Sequence, residues 1–276
     1  MSRSVRNAFR VTAAGPAGVD PRDRPVGPND REAAAEELAE LGPRLAGLQE
    51  RLYAEGSRAV LLVLQGMDTS GKGGVVEHVA GLVNPQGLAI TSFKKPTEAE
   101  RAEHYLARIR RAVPRAGYIG VFDRSHYEDV LVVRVDALVP ESVWRPRYEE
   151  LVAFEAELAA AGVTLVKCML HISPAEQQER LLARLDDPTK HWKYHPGDVD
   201  VRAKWPAYRE AYAEALRRTD TDTGPWYVIP ADRKWYRNWA IAALLHEVLT
   251  DLDPRYPPAD FDVETERARV VASVVG

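Results

Sequence analysis

Three observations predict an α/β fold in three layers: a five-stranded parallel sheet with helices on both faces and a lid insertion late in the chain. Five short apolar runs alternate with helical patterns through the body of the sequence, and such alternation requires crossover units between parallel strands. The first run, Ala59 to Gln65, passes directly into the loop QGMDTSGKGG and then the helical pattern VVEHVAGLV. A polar, breaker-rich stretch at 186–205 separates the fourth run from the fifth.

Taken in order, residues 1–30 hold Gly15, Pro16, Gly18, Pro21, Pro25, Gly27 and Pro28. They read as an extended or poorly ordered arm lying on the body or on a partner subunit. From Asp30 a leucine stripe, Leu38, Leu41, Leu45, Leu48 and Leu52, recurs at three- and four-residue spacing, which predicts a packing helix. Gly42 and Pro43 should kink or divide it. The second strand is 88–93. Thr97 followed by Glu100 has capping-box spacing and predicts one helix from Glu98 to Val113, stopped by Pro114 and Gly117. The third strand, 118–122, ends beside Asp123. An amphipathic helix covers 141–161, the fourth strand 163–170, and helices 174–185 and 206–217. WYVIP at 226–230 is the fifth strand, and RKWYRNWAIAALLHEVLTDL closes the body. The expected organisation is an arm at 1–30, one domain at 31–252 with its lid at about 180–205, and a tail at 253–276.

The 276 residues, 45% hydrophobic, suffice for one such domain with insertions. A net charge of −4 and a pI of about 6.0 give no global basic field for nucleic acid. The single cysteine, Cys168, excludes a disulfide framework and a thiolate zinc site, and its apolar surroundings read as a buried strand. No apolar stretch approaches the roughly 20 residues of a membrane helix. The N-terminus carries Arg3, Arg6 and Arg10 without the apolar core of a secretory signal. A cytoplasmic location with no membrane partner is expected.

Chemistry concentrates first in the glycine loop. Gly66, Gly71, Gly73 and Gly74 free the backbone N–H groups to converge on an anion, with Met67, Thr69 and Ser70 completing the cradle. The helix N-terminus and Lys72 add positive charge. The usual hydroxyl after the lysine, a magnesium ligand, is replaced by Gly73. Asp68 is the nearby carboxylate that could supply the metal instead; its plain alternative is a turn or capping residue. Strand, loop and lysine together predict a P-loop kinase-like fold. Asp123, at the ligand edge of the sheet, reads as the second metal carboxylate of a Walker B strand. Arg124 after it offers a planar fork for phosphate, or else an ion pair with Glu128 or Asp129.

Two further groups are cationic. Lys94 to Arg115 holds seven Lys or Arg against three Glu, a balance of +4 in a chain that is −4 overall. Arg101, His104, Arg108 and Arg111 step by three, four and three, which aligns them on one helix face. With Lys94 and Lys95 they read as a track for a linear polyanion, or as a solvated face. Arg180, Arg184, Lys190 and Lys193 lie on or near the polar insertion, where a lid arginine would cover a transferring phosphoryl group. Trp192, Trp205, Trp226, Trp235 and Trp239 read as packing residues, and His171 and His246 as structural.

The motifs QGMDTSGKGG, TSFKKPTEAE, FDRSHYEDVLVVRV, RLDDPTKHWK and PWYVIPADRKWYR, in that order, make the chain from about Arg31 to Leu252 resemble the polyphosphate kinase 2 family. The resemblance implies a thymidylate kinase-like fold with a lid. It implies Mg²⁺-dependent (or Mn²⁺-dependent) phosphoryl transfer between inorganic polyphosphate and a nucleoside mono- or diphosphate, with adenine or guanine as base. Carried over by position, Asp68 and Asp123 would handle the metal and acceptor phosphates, Lys72 and Arg124 the transferring phosphates, and Arg180 or Arg184 the lid role. Gly73 fits the family, which commonly lacks that hydroxyl. QGMDTSG and RSHYEDVLVV look closer to members accepting both AMP and ADP. The leucine-striped helix and the arm point to a homo-oligomer, a dimer or tetramer. The rivals are an ATP-dependent small-metabolite or nucleotide kinase and a non-catalytic nucleotide or polyanion sensor.

Overall fold

The computed structural model describes residues 4–273. Helix α1 (Val5–Phe9) is capped by a distant carboxylate: Ser4 Oγ and the amides of Val5 and Arg6 donate to Glu247 at 3.1, 2.9 and 2.8 Å. Phe9 is buried against Tyr236, a contribution of about 2 kcal/mol from apolar burial. The start of the arm is thus docked on the body of its own chain. Helix α2 (Arg31–Glu55) starts at Asp30, whose side chain accepts from Ala33 N at 2.9 Å. It runs unbroken through Gly42 and Pro43, against the expected division. Pro43 and Ala39, whose carbonyl loses its donor, are both exposed, so water serves the orphaned oxygen.

Strand β1 (Ala59–Gln65) is followed by α3 (Lys72–Val79) and β2 (Leu88–Ser92). The single helix expected at 98–113 is two: α4 (Glu98–Arg101), with the capping box at Thr97 and Glu100 in place, and α5 (Ala107–Ala112). Between them the chain turns Leu106 into the core, and His104 Nδ1 takes the Leu106 amide at 3.3 Å, ending the first helix and starting the second. Strand β3 (Ile119–Asp123) and the short α6 (Val132–Val135) come next. The helix expected at 141–161 breaks at Arg145 and Pro146 into α7 (Glu141–Trp144) and α8 (Arg147–Ala160). Strand β4 (Val163–His171) leads to α9 (Pro174–Leu185). The polar insertion holds a 3-10 turn at Pro188–Lys193 and α10 (Gly197–Ala203). Helix α11 (Trp205–Thr219), β5 (Trp226–Pro230), α12 (Lys234–Leu252) and α13 (Val263–Ala272) complete the chain.

The five strands are all parallel in the order β2-β3-β1-β4-β5. Central β1 is buried along its whole length, as a strand covered on both faces must be. Val60, Leu62 and Leu64 join one apolar cluster with residues of α2 and α12, and Leu61 and Val63 join another with α8 and α11. Register sets Leu64 of β1 level with Asp123 of β3, and Ser92 of β2 level with the same aspartate. Three strand ends therefore meet at one edge.

On the α8–α11 side the core encloses a charge-paired polar network. Lys167 Nζ donates to Glu155 Oε2 at 2.6 Å, Tyr127 OH at 2.9 Å and the Thr219 carbonyl at 2.7 Å. His126 and Tyr127 reach the other Glu155 oxygen at 3.1 and 2.7 Å. All of these side chains are buried. Burial alone would raise the Glu155 pKa, but Lys167 and His126 beside it bring it below the ordinary value. Among the described residues no helix is long and apolar enough to cross a membrane.

Candidate active site

The loop after β1 is built by backbone strain and by close approach. Gly66 has φ +152°, and a Cβ there would stand 2.7 Å from the Leu170 carbonyl. Gly71 has φ +103°, and Thr69, though not glycine, has φ +64°. Such strain persists only where surrounding contacts over-determine it, and here they do. Gln177 Nε2 donates to the Asp68 carbonyl at 3.0 Å, Arg180 Nη1 to the Thr69 carbonyl at 2.8 Å, and Arg237 Nη1 to the Ser70 carbonyl at 3.2 Å. Lys72 opens α3 and turns back, its Nζ donating to the carbonyls of Gly66 at 2.8 Å and Met67 at 3.4 Å. Burial lowers its pKa, Arg124 adds to that, and Asp68, Asp123 and Glu128 oppose it.

The loop faces an open cleft of about 1270 Å³ lined by Asp68, Thr69, Gly71, Lys72, Gly73 and Gly74, by Asp123 and Arg124, and by residues of α2, α9, α12 and the insertion. Lys and Arg outnumber Asp and Glu on its walls nine to four, so the cleft is cationic in an acidic chain. Gly66, Met67 and Ser70, expected in the cradle, do not line it. Met67 packs in the core, and Ser70 is fully buried beneath the loop. The oxygens Thr69 Oγ1 and Ser70 Oγ are buried without a hydrogen-bond partner. A Cβ at Gly73 would meet nothing within 4 Å, so space does not exclude the hydroxyl usual at that position.

Asp123 and Arg124 enter from β3. Arg124 has φ +64°, and its amide donates to the Leu64 carbonyl at 3.1 Å. Its Nη2 donates to Asp68 Oδ1 at 2.9 Å, which brings the two motifs into contact. Burial works against the Arg124 charge, but Glu128 and Asp68 overcome it and raise the pKa. Glu128 is the residue that sequence reasoning missed, having taken it only as an ion-pair partner for Arg124. Here it acts on Arg124, Lys72 and Asp68 together, and burial raises its pKa. Its only sequence signal is its place five residues after Asp123, in the 3-10 turn His126–Asp129.

The Asp123 carboxylate has no hydrogen-bond donor among the described residues. Together with Asp68 it fits a hard cation of the magnesium type, which binds through one or two carboxylates and completes its shell with water and substrate phosphates. No group of three or more His, Cys, Asp or Glu could form an all-protein metal cage among the described residues.

The insertion behaves differently from expectation at two positions. Arg180 is not a lid residue. It is buried, with Nη2 donating to the Ala231 and Asp232 carbonyls at 2.7 and 2.9 Å and Nε to Glu176 at 2.7 Å. Its guanidinium is consumed in tying the loop to the end of β5. Arg184 stays at the cleft, with Nη1 donating to the Lys193 carbonyl at 2.8 Å beside Asp198. Lys190 and Lys193 line the cleft with Trp192. Trp192 is 78% exposed, against the packing role read from sequence, whereas Trp226 and Trp239 are buried as expected.

The cations of 94–111 do not share one helix face, because the helix is broken. Lys94, Lys95, Arg108 and Arg111 line a second cleft of about 460 Å³; Arg101 and His104 do not. Arg101 bonds the Pro96 carbonyl, and His104 lies 3.6 Å from Glu150. Ser92 lines both clefts.

Comparison with known proteins adds to this geometry. The family model described as polyphosphate kinase 2 matches residues 28–256. The AMP/ADP-polyphosphate phosphotransferase of Meiothermus ruber is 50% identical over 238 residues, 86% of this chain and 89% of that protein. The ADP-polyphosphate phosphotransferase of Rhodopseudomonas palustris is 41% identical over 226 residues, 78% of each. The crystal structure of a polyphosphate kinase 2 from Arthrobacter aurescens superposes with a TM-score of 0.96 at 46% identity, covering 99% of this chain and 98% of that one.

Proposed function

Because the chain belongs to the polyphosphate kinase 2 family, we propose that it moves a phosphoryl group reversibly between inorganic polyphosphate and a nucleoside mono- or diphosphate, AMP to ADP and ADP to ATP. The observation that carries this reading is the convergence of Lys72, Asp68, Asp123 and Arg124 on one cationic cleft beneath the insertion.

An oxygen of the acceptor's last phosphate attacks the end phosphorus of the polyphosphate in line. The bridging P–O bond breaks, and the shortened chain leaves with the electron pair. A nucleotide phosphate is already largely ionised near neutral pH, so no general base is needed. Lys72 and the first amides of α3 hold the transferring group, and Arg124 holds the acceptor phosphate with its fork oriented by Asp68. Arg184 serves as the lid arginine, and Lys190 and Lys193 extend its charge. Asp68 and Asp123 would hold a divalent cation, magnesium with manganese as the alternative, that neutralises phosphate oxygens. Glu128, kept beside Lys72 and Arg124, balances the site before substrate enters. Lys94, Lys95, Arg108 and Arg111 continue the cationic surface past Ser92 and support a track for a long polyanion. Exposed Val263, Val270 and Val271 on α13 support a homo-oligomer, a dimer or tetramer, measurable by light scattering.

The test is ATP formation from ADP with long-chain polyphosphate as the sole donor, repeated with AMP and with guanine nucleotides. Turnover is expected with both adenine acceptors. No turnover, together with brisk ATP consumption on a small acceptor, would replace this reading with that of an ATP-dependent kinase.

A further inference from the structure

Arg237 is a buried cation that finds no counter-charge among the described residues. It stands in the first turn of α12, 3% exposed. Nε and Nη2 donate to Asn238 Oδ1 at 3.1 and 2.8 Å, and Nη1 donates to the Ser70 carbonyl at 3.2 Å. Both acceptors are neutral. A guanidinium carries five N–H donors, so two remain uncommitted. Among the described residues no carboxylate lies within 4.0 Å of it. The charged group acting on it is a second cation, Arg180, and burial with that neighbour pulls its pKa down to about 10, which leaves it protonated at neutral pH. Of the other buried cations among the described residues, Lys167 pairs with Glu155 and Arg180 with Glu176, while Lys72, also at the cleft, has only the Gly66 and Met67 carbonyls.

Its place in the loop is equally specific. A Cβ at Gly71 would stand 1.6 Å from Arg237 Nη1, and one at Gly74 2.8 Å from Nη2. The glycines therefore do two things: they free the backbone amides, and they let a guanidinium lie directly against the loop. Arg237 lines the same cleft as Lys72. An unpaired buried charge is costly, and no carboxylate among the described residues offsets this one.

We propose that Arg237 is an anion-positioning residue whose counter-ion is the oligophosphate bound in the Gly71–Gly74 loop. It lies against the loop at Gly71 and Gly74 and adds a second positive charge to that on Lys72. This rests on the reading of the cleft as a polyphosphate site and deepens it. The substrate's own charge relieves the buried cation, so binding and loop stability are coupled.

The experiment is a thermal-shift titration of the metal-free full chain with inorganic tripolyphosphate, comparing wild type, Arg237→Met and Arg237→Lys. Without anion, Arg237→Met should melt no lower than wild type, because an apolar side chain replaces an uncompensated charge. Its tripolyphosphate dissociation constant should rise about tenfold or more. Arg237→Lys keeps the charge and should stay within about threefold of wild type. With polyphosphate and ADP, KM for polyphosphate should rise in Arg237→Met while KM for ADP holds. Equal affinity in wild type and Arg237→Met overturns the inference alone. If Arg237→Met does not fold, Arg237→Lys decides: a dissociation constant raised about tenfold or more would mean that geometry, not charge, is at work, and overturns it. No shift in wild type would overturn the polyphosphate reading with it.

Discussion

Two cations are buried on opposite sides of one sheet, and their surroundings could hardly differ more. Lys167 of β4 has a carboxylate, a hydroxyl and a carbonyl within 3 Å, and the carboxylate is shared with His126 and Tyr127. Arg237 of α12 has an amide oxygen and a carbonyl, with another arginine as its charged neighbour. Charge pairing in the first network holds β4, α8 and α11 together. The second lies at the cleft. Charge balance within the chain thus separates cations that serve the fold from those that await a partner, a distinction that exposure alone does not make.

That comparison can be broken at several points. The largest effect should come from Lys167→Met, which strands Glu155 in the core; removing one partner of a buried pair typically costs about 3–5 kcal/mol. Urea unfolding should show it, and a loss under about 1 kcal/mol would end the contrast with Arg237→Met. Asp123→Asn tests the anionic counterpart of openness, since that carboxylate has no donor among the described residues. Its kcat should fall by about 10²–10³-fold while its melting temperature stays near that of wild type. A variant that melts early and keeps its kcat would make Asp123 a structural residue.

Asp129 sharpens the comparison from the closed side. Burial outweighs Arg147 beside it and raises its pKa to about 6. A carboxyl raised on folding contributes stability that is full below its ordinary value and is lost as pH rises through about 6. Asp129→Asn should therefore flatten the decline in melting temperature between about pH 4 and 6; an unchanged slope would show that another group governs it. The smallest effect belongs to Arg111→Ala. Arg111 pairs with Glu103 at 2.8 Å, with both side chains about half exposed, and such pairs contribute at most about 1 kcal/mol. Polyphosphate KM should rise no more than about threefold, and the difference should vanish in high salt.

What could be read from sequence follows the range of the interactions. The strands were legible because each is a short apolar run, and the loop because glycines and Lys72 sit at fixed offsets from β1. Asp123 was legible because it ends a strand. Arg180 and Arg237 were not, since each is defined by carbonyls more than 50 residues away in sequence and a helical pattern carries no mark of such partners. The break at Ala102–Leu106 was hidden for a local reason: capping box, spacing and charge all favoured one helix, and the inward turn of Leu106 with the His104 ring as its cap prevailed. Glu128 was seen only as half of an ion pair because its second and third charged neighbours arrive from α3 and from the loop after β1.

One feature of the insertion has a use that needs no chemistry. Of the six tryptophans, Trp192 alone among those described is largely bathed in solvent, and it stands at the rim of the cleft. The molecule thereby carries its own optical gauge. Whatever comes to rest against that indole, or draws the surrounding turn inward, will change its emission without any label, so occupancy can be watched in real time by exciting the native protein.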